Sequence, residues 1–388
     1  MHIATVGPTH PTRGGIARFT TLLVRQMRTA HEVDFFTFSR LYPSLLFPGN
    51  TDADPSGEIC HEPATRCLDS LNPLTWRRTG KAIVEARPDV LLLQWWTSFW
   101  FGLNHSLCHH ARNAGIPVIT LAHQFVEPDA SRVEVFFSRS ALRRSDGLLL
   151  LSEKEMGMAR RFKPEIPMRL GSLPGLHEPS EPIPDRSTAR AQLGIDDDRP
   201  VLLFFGFVRR YKGLHILLEA LASVAGVHLV VAGEFWENEE PYRSRISELG
   251  IDDKITLLNR YQPNEELSRL FIAADVLVLP YVSCNQSAVA TTALDHGLPV
   301  IASKVGGLAE TIEDGTTGLL VPPGDSARLA EAVERFFAED LGPVFRRAIA
   351  SRGRRPSWAQ LVSEIESLAA EVVQERSPGA AMPVELAP

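Results

Sequence analysis

The chain has 388 residues and a formal charge of −7, with 44% hydrophobic and 22% charged residues. This length predicts two domains rather than a single core, and the composition is that of a soluble globular protein. The acidic balance argues against nucleic acid as a partner and against a general attraction to anionic lipid. Local basic clusters, such as Arg139, Arg143 and Arg144, leave peripheral contact with the inner face of a membrane open.

The cysteine pattern and the N-terminal segment predict a cytoplasmic protein. The four cysteines show neither metal-ligand spacing nor the density of a disulfide framework, so we expect a reducing compartment and no bound metal. Met1 leads directly into a strand-like segment, so no signal peptide is predicted. No apolar run reaches the roughly 20 residues that a membrane-spanning helix needs. The acidic triplet 196–198 is predicted to be a solvated turn rather than a metal site.

The first half alternates short apolar strands with amphipathic helices, and we predict one domain over residues 1–175. Strands are predicted at 2–6, 32–38, 89–95, 117–122 and 147–151, and helices at 15–30, 75–87, 100–114, 130–144 and 153–162. Segment 40–72 has no clear periodicity and is predicted to be an irregular excursion. Residues 176–199 are rich in proline and acidic side chains and are predicted to be the linker between domains.

The alternation resumes after residue 199, which predicts a second domain over residues 200–356. Strands are predicted at 200–207, 228–233, 255–259, 275–280, 299–303 and 318–321, and helices near 213–224, 242–249, 263–274, 286–296, 307–313 and 326–340. A helix over 357–375 is expected to pack back toward the first domain, followed by a disordered tail, 376–388. Continuous apolar strands separated by helices indicate parallel sheets covered on both faces.

The predicted fold is therefore α/β, with two doubly wound parallel sheets and a cleft between them. Ligands of such sheets bind at the carboxyl ends of the strands. Gly14 and Gly15 open the first helix, where backbone amides can approach a phosphate closely. Arg209 and Lys212 follow the first strand of the second domain and carry the positive charge that a diphosphate needs. A solvated basic turn is the alternative explanation for these two residues.

The segment 279–307 is the most informative part of the chain. A buried strand runs into a polar loop, the loop opens a helix at Gln286, Ser287 and Ala288, and a second apolar strand follows. The free amides at such a helix start are a favourable place for an anion. The sequence therefore predicts a phosphate site formed by this loop together with Lys212.

The spacing from this loop to His296, Gly297 and the next strand resembles the nucleotide-sugar signature of glycosyltransferase family 4. The resemblance covers most of residues 1–340 and is strongest between 200 and 325. It implies the GT-B fold and metal-independent transfer of a sugar, with retention of configuration, from a nucleoside diphosphate to an acceptor hydroxyl. No cofactor is implied; the nucleotide sugar is a co-substrate, with UDP-sugar expected first and GDP-sugar next.

The chain departs from the family at three positions. The family's two glutamates fall on Cys284, near the transferred sugar, and on Thr292, near the ribose, so the chain resembles a branch with Gln286 and Ser287 in this loop. The family arginine after the first strand of the second domain falls on Phe207, and we assign its role to Arg209. These departures keep open a non-catalytic nucleotide-sugar binder, or a supporting subunit of a two-component transferase. An epimerase or a phosphorylase on the same fold is a further alternative.

The resemblance assigns three more residues to the site. His123 follows an apolar strand of the first domain and is expected to face the donor sugar, although a histidine there is equally often a core residue. Tyr261 lies in the loop that usually contacts the nucleobase. Glu310 also matches a family position and is expected to support a loop.

The segment 91–101 is dense in aromatic residues. Gln94, Trp95 and Trp96 lie where a parallel strand ends at the cleft, and indole rings stack on sugars and apolar groups. One interpretation is an acceptor-binding wall for a carbohydrate, a lipid-linked glycan or a natural product. The other is core packing beneath the following helix.

Overall fold

A computed structural model describes residues 1–43, 49, 51–57, 61–126, 131–176, 184–195, 199–352 and 356–376. Within these residues the chain forms two α/β domains, and the strands of each sheet run parallel. The fold predicted from the sequence is therefore confirmed. The predicted turn at 196–198 and the tail beyond residue 376 lie outside the described residues, as does Cys60.

The N-terminal domain contains a seven-stranded sheet in the order β3-β2-β1-β4-β5-β6-β7. Its strands are β1 His2–Val6, β2 Glu32–Arg40, β3 Thr65–Asp69, β4 Val90–Trp95, β5 Val118–Ala122, β6 Gly147–Leu150 and β7 Met168–Leu170. The helices that connect them are α1 Gly15–Met27, α2 Pro73–Ala86, α3 Phe101–Asn113, α4 Arg132–Leu142 and α5 Glu153–Phe162. Helices cover both faces of the sheet, which explains why its central strands are continuously apolar.

The C-terminal domain contains a six-stranded sheet in the order β10-β9-β8-β11-β12-β13. Its strands are β8 Val201–Phe205, β9 His228–Ala232, β10 Ile255–Leu258, β11 Val276–Leu279, β12 Val300–Ser303 and β13 Gly318–Val321. Its helices are α6 Arg186–Gln192, α7 Leu214–Ser223, α8 Glu240–Leu249, α9 Asn264–Ala273, α10 Ala288–Asp295, α11 Gly306–Thr311, α12 Ser326–Ala338 and α13 Leu341–Ser351. The order of strands reverses between β8 and β11, so their carboxyl ends frame a crevice.

The structure differs from the prediction in elements with weak local signals. The edge strand β3 lies in the segment predicted to be irregular; its residues are mostly polar and half-exposed, so no apolar run marks it. The helix α6 lies in the predicted linker, yet it packs on α9. Arg190 of α6 donates to the carbonyl of Ala273 (3.0 Å) and pairs with Asp275 (2.8 Å). The C-terminal domain therefore begins before residue 200.

The last described helix, α14 Trp358–Arg376, returns to the N-terminal domain. It packs against α1, β6 and β7, and its buried apolar side chains join the N-terminal core. His31 contacts Glu366 at 2.7 Å, and Arg376 pairs with Asp146 at 2.7 Å. The chain thus crosses between the domains twice, and α14 adds to the contacts that hold them together.

A buried ion pair joins the two domains beside the cleft. Arg13, in the loop after β1, contacts Glu234, in the loop after β9, at 2.5 Å, and both side chains are at most 5% exposed. The Glu234 carboxylate also accepts from the indole N–H of Trp236 at 3.1 Å. The Arg13 guanidinium lies 5.2 Å from the ring centre of Tyr261, close enough for a cation–π contact.

The loop around residues 51–57 supports Arg13 and extends the contact between domains. The N–H of Arg13 donates to the carbonyl of Asp52 at 2.8 Å. Ser56 accepts from the N–H of Asn264 at 3.0 Å, and the N–H of Gly57 donates to Glu265 at the same distance. The segment predicted to be irregular thus carries part of the interface between domains.

Removing one member of the buried pair should destabilise the protein strongly, because the other charge would stay buried after losing its partner of opposite sign. We expect Arg13→Met and Glu234→Gln each to lower the free energy of unfolding by about 3–5 kcal/mol. The double variant should cost less than the sum of the two, since no lone charge remains. Urea denaturation of the four proteins measures this coupling, and additive single effects would contradict it.

Candidate functional site

Two cavities lie where the carboxyl ends of the two sheets face each other. The apolar cavity, about 220 Å³, is enclosed by residues that include Gly14, Gly15, Phe207, Tyr261 and Thr292. The polar cavity, about 280 Å³, is enclosed by residues that include Gln124, Glu134, Arg209, Cys284 and Ser287. Lys212, Ala288 and Val289 belong to the walls of both. The amine of Lys212 and the start of α10 therefore stand between the two cavities.

Lys212 is held at this boundary by the turn that follows β8. It ends a short 3₁₀ turn, Arg210–Lys212, and the side chain reaches back over Gly206. A Cβ at Gly206 would lie 2.8 Å from Nζ of Lys212, and this residue has a φ of +103°. Both the backbone conformation and the space thus favour glycine at this position. The amine of Lys212 is thereby brought close to the backbone at the end of the strand.

Burial changes the acidity of Lys212. The residue is 9% exposed, and desolvation lowers the pKa of its ammonium to about 8, with a smaller contribution from the nearby guanidinium of Arg209. No described carboxylate forms an ion pair with it. The binding of an anion stabilises a buried ammonium that has no carboxylate partner, because it compensates for the lost hydration.

The helix α10 presents its first turn to the same place. Ser287 is its N-cap, and the hydroxyl of Ser287 accepts from the N–H of Ala290 at 3.3 Å. The first amides of a helix have no partner within the helix, and they carry the positive end of its dipole. Ser287 and Ala288 therefore lie at the start of α10, and the binding of an anion there remains a prediction.

The side chain of Gln286 contacts the other domain. Its side-chain amide donates to the carbonyl of Leu151 in the N-terminal domain. The neighbouring Asn285 likewise donates to the carbonyl of Val126 at 3.3 Å. These amides join the loop before α10 to the other domain. Gln286 also lines the polar cavity, and its contact with a diphosphate remains a prediction.

The wall of the apolar cavity is suited to a flat ring. Phe207 stacks on Trp236, with ring centres 4.1 Å apart, and lies 5.9 Å from Tyr261. Gly14 and Tyr261 line the same cavity, so the glycine loop of one domain lies beside the aromatic loop of the other. Thr292, 2% exposed, lies deeper in the same cavity. The structure thus brings together Gly14, Tyr261 and Thr292, which the sequence placed in one site.

Arg209 does not lie where an arginine at position 207 would lie, because Phe207 fills that place. Its guanidinium lies 5.7 Å from the ring centre of Tyr211 and 5.9 Å from that of Trp236, at the wall of the polar cavity. The sequence assigned to Arg209 the role of an arginine at position 207. In the structure Arg209 is an exposed residue of the polar cavity wall, whereas Lys212 is buried in the same wall.

Cys284 is a buried thiol at the wall of the polar cavity. It is 4% exposed and donates to the carbonyl of Gln286 at 3.3 Å. Desolvation raises the pKa of this thiol to about 12, although Lys212 and Lys154 act in the opposite direction. Glu155, a buried acid of α5, adds to the increase. The thiol is therefore neutral near pH 7 and cannot replace a carboxylate.

His123 lies at the end of β5, behind the residues that line the polar cavity. Its Nε2 is 2.8 Å from Oε1 of Gln94, and its ring packs edge-on against Phe19 at 4.7 Å. Burial lowers its pKa to about 3, so the imidazole is neutral at physiological pH. Neither cavity has His123 in its wall, and a contact between His123 and a donor sugar remains a prediction.

The prediction that Trp95 belongs to an acceptor-binding wall is wrong. This residue is 1% exposed and packs in the N-terminal core, because alternate side chains of β4 point to opposite faces of a covered sheet. Gln94 is also buried and bonds to His123. Trp96 is half-buried; its indole N–H donates to the hydroxyl of Tyr42 at 2.9 Å. Of the three, Trp96 alone retains substantial exposed surface.

Sequence analysis missed several residues at the site. Glu134 and Gln124 line the polar cavity, and Arg13 and Glu234 flank the apolar one. Glu134 has a capping-box signature with Ser131, but nothing local indicates that α4 begins beside the cleft. Glu310 accepts from the N–H of Glu153 at 3.3 Å, which places it at the contact between domains.

The described residues contain no group of three or more histidine, cysteine, aspartate or glutamate side chains that could hold a metal ion. Cys67, Cys108 and Cys284 carry free thiols. No helix in the described part of the chain is long and apolar enough to cross a membrane.

The desolvated, neutral imidazole of His123 should make folding stability depend on pH. Its pKa in the folded protein lies below the unfolded value of about 6.5, so the unfolded state binds the extra proton as the pH falls from about 6.5 toward 3. Folding stability should therefore decrease over this interval, by at most about 1.4 kcal/mol per pH unit from this group.

Urea denaturation at about pH 7 and about pH 5 measures this effect. The loss of stability between the two should be smaller in His123→Gln than in the wild type. The same change at the exposed His61 serves as the matched control. Equal pH dependence in wild type and His123→Gln would mean that His123 is not held in its neutral form.

Two family models match the chain, one in each domain. Residues 14–168 match the model described as "Glycosyl transferase 4-like domain", and residues 185–355 match "Glycosyl transferases group 1". The second match begins at the start of α6, in agreement with the packing of that helix. Among curated proteins, D-inositol 3-phosphate glycosyltransferase from Mycobacterium tuberculosis is 35% identical over 181 residues. That match covers 45% of this chain and 38% of the relative's length.

Solved structures share the whole fold at low sequence identity. Sucrose-phosphate synthase from Thermosynechococcus elongatus is 22% identical, with a TM-score of 0.73, covering 97% of this chain and 100% of that one. The Anabaena protein Alr3699/HepE, in a structure with UDP, is 20% identical, with a TM-score of 0.75, covering 96% of this chain and 100% of that one. At these identities the likeness concerns the fold. The chain therefore has the GT-B fold of these structures, with an N-terminal domain that matches the 4-like model and a C-terminal domain that matches the group 1 model.

Proposed function

We propose that this protein transfers a sugar from a nucleoside diphosphate to an acceptor hydroxyl, in the cleft between its two domains. The observation that carries the proposal is the position of Lys212 and the start of α10 between an apolar and a polar cavity. A nucleotide sugar has the same order of parts: a flat base and ribose, a diphosphate, and a polar sugar. The nucleoside would occupy the apolar cavity and the sugar the polar one.

The diphosphate would then lie against Lys212 and the first amides of α10. In the transfer, the bond between the anomeric carbon and the diphosphate oxygen breaks, and negative charge grows on that oxygen. Oriented amides and the ammonium of Lys212 can stabilise this charge with little reorganisation. Arg209 at the wall of the polar cavity would add a second positive charge. The proposed reaction needs no metal ion, since these groups face the leaving group.

Retention of configuration is proposed because inversion needs a general base to activate the acceptor on the face opposite the diphosphate, and the polar cavity offers little to serve as one. Among its described wall residues, Glu134 is the one carboxylate, and its side chain accepts from the N–H of Ser131 at 2.7 Å. Cys284 is a neutral thiol. A double displacement through a covalent intermediate would lack an activated group here. Attack by the acceptor on the face that the diphosphate leaves accounts for the arrangement.

UDP-sugar is the proposed donor, with GDP-sugar second. The apolar cavity has the stacking surface of Tyr261 and the threonine hydroxyl of Thr292 in place of a carboxylate. Structures of the Anabaena neighbour were solved with UDP and with UDP-glucose, which supports the choice of base. The acceptor is proposed to enter the polar cavity from the N-terminal domain, past Gln124 and Glu134.

A second candidate is a nucleotide-sugar binder that supports a separate catalytic subunit. The replacement of carboxylates by Cys284 and Thr292 favours it. The buried ammonium of Lys212 is compatible with both candidates, because each of them binds a diphosphate, and it argues only against a scaffold that binds no nucleotide. The two candidates differ in whether a donor is turned over.

Removing the Lys212 ammonium should weaken diphosphate binding about 10- to 100-fold, the usual effect of losing a hydrogen bond to a charged group. Thermal-shift titration with UDP, GDP and their sugars, on wild type and Lys212→Ala, measures this. Lys254→Ala is the matched control, because Lys254 lies at the amino end of β10. The cleft lies at the other end of the strands.

The outcomes separate the candidates. Selective stabilisation of the wild type and of Lys254→Ala, together with sugar release that Lys212→Ala abolishes, supports the transferase. Binding without turnover, in the presence of a broad panel of acceptors, favours the supporting subunit. A well-folded protein that no nucleotide stabilises contradicts both.

The affinity for a nucleoside diphosphate should also depend on pH. Because the pKa of Lys212 in the unliganded protein is about 8, its positive charge is lost as the pH rises through that value. Affinity for UDP should therefore fall above about pH 8, by up to about tenfold per pH unit. Calorimetric titration between pH 7 and about 9.5 tests this. Lys212→Arg, which keeps its charge, should show a flat profile, and a wild type equally flat would contradict the assignment.

A further inference from the structure

Five large apolar side chains are exposed at one edge of the N-terminal domain. They are Leu71 (51% exposed), Leu74 (64%), Phe99 (39%), Val133 (61%) and Phe136 (65%). We call this set the apolar edge. Most other large apolar side chains of this domain are buried, so five exposed ones at one edge are unusual. Exposed apolar patches commonly mark interaction surfaces.

The topology of the domain explains why these residues lie together. Leu71 and Leu74 follow β3, Phe99 follows β4, and Val133 and Phe136 follow β5. In a parallel sheet the carboxyl ends of all strands lie at one edge, so the helices that follow them begin there. Moreover, α3 packs against both α2 and α4, which makes the three helix starts neighbours on one face of the sheet.

Each of the two exposed rings of the apolar edge contacts a half-buried aromatic residue. Phe136 lies 5.8 Å from Phe137, which packs on Phe101 of α3 at 4.9 Å between ring centres. On the other side, Phe99 lies 5.9 Å from Tyr42. The exposed rings therefore rest on a layer of buried or half-buried aromatic residues, and they are held in place rather than projecting freely.

Basic side chains outnumber acidic ones around the apolar edge, where Glu134 is an exposed carboxylate that accepts from the N–H of Ser131. Arg77, Arg78 and Lys81 lie on the exposed side of α2, and Arg132 precedes Val133 on α4. Within the described residues none of these four side chains forms an ion pair. The full chain carries a charge of −7, so this basic face is a local feature.

We propose that the apolar edge and its four basic neighbours dock on the surface of an anionic lipid bilayer. Apolar and aromatic side chains enter the headgroup boundary, and lysine or arginine side chains beside them attract anionic lipid. A soluble protein partner would match the apolar side chains but leave the unpaired positive charges without a general complement. The proposal goes beyond the transferase activity and does not rest on it.

The position of the apolar edge gives docking a consequence for the site. Glu134, next to Val133 at the start of α4, lines the polar cavity. A bilayer at the apolar edge would therefore lie beside the entrance that an acceptor would use. An acceptor anchored in that bilayer would be presented to the cleft without leaving the lipid.

Vesicle co-sedimentation of the full chain, without nucleotide, tests the proposal. The vesicles are phosphatidylcholine alone, or phosphatidylcholine mixed with phosphatidylglycerol. We expect binding to the anionic vesicles only, weakened by high salt. Val133→Asp/Phe136→Asp should reduce this binding by at least about tenfold, and Arg77→Glu/Arg78→Glu should reduce it by a similar factor.

Val344→Asp is the matched control, because Val344 is a 47% exposed valine on α13 of the other domain. It should bind vesicles as the wild type does. Unchanged thermal midpoints would show that the edge variants fold. UDP binding, measured separately, distinguishes a failure of docking from a failure of the proposed activity.

Three outcomes would overturn the proposal. The wild type could fail to bind anionic vesicles, or the edge variants could bind as well as the wild type. Alternatively, the wild type could be dimeric without lipid and Val133→Asp/Phe136→Asp monomeric, which would make the edge an interface between copies of the chain.

Discussion

The buried ammonium of Lys212 is the constraint on which the site depends. Taking a charge out of water is unfavourable unless an opposite charge meets it, and here the described residues supply no carboxylate partner. The lowered pKa of Lys212 expresses that cost. The first turn of α10 adds further positive potential at the same place. This end of the C-terminal domain is thus arranged for an anion, and the cavities on either side restrict which anion fits.

The domains are joined by polar contacts that cluster around this site. Gln286 and Asn285 donate from the loop before α10 to carbonyls of the N-terminal domain, and Arg13 forms its buried pair with Glu234 beside the apolar cavity. Because these contacts use side chains in or next to the cavity walls, a movement of one domain would change the shape of the site. The structure therefore couples the relative position of the domains to the geometry that a donor would meet.

The chemistry follows from what the site lacks as well as from what it holds. Cys284 in the wall of the polar cavity and Thr292 in the wall of the apolar cavity are neutral groups. Positive charge is concentrated at Lys212, in the wall shared by the two cavities, and at Arg209, in the wall of the polar one. Such a site can stabilise a departing diphosphate, but it has little to activate a nucleophile with. That asymmetry favours a reaction in which loss of the leaving group is the principal task.

The sequence by itself determined the two parallel sheets, most of their helices, and the placement of Lys212, Ser287 and Tyr261 near one cleft. These follow from local signals, namely apolar runs, helix starts and glycine turns, whose meaning does not depend on distant residues. Only the tertiary structure decided that Arg13 meets Glu234, that Gln286 bonds to the other domain, and that Trp95 is buried while Phe136 is exposed. Each of these depends on residues far apart in the chain, or on which face of an element is covered. Local periodicity carries no information on such pairings, because they are set when the two domains pack together.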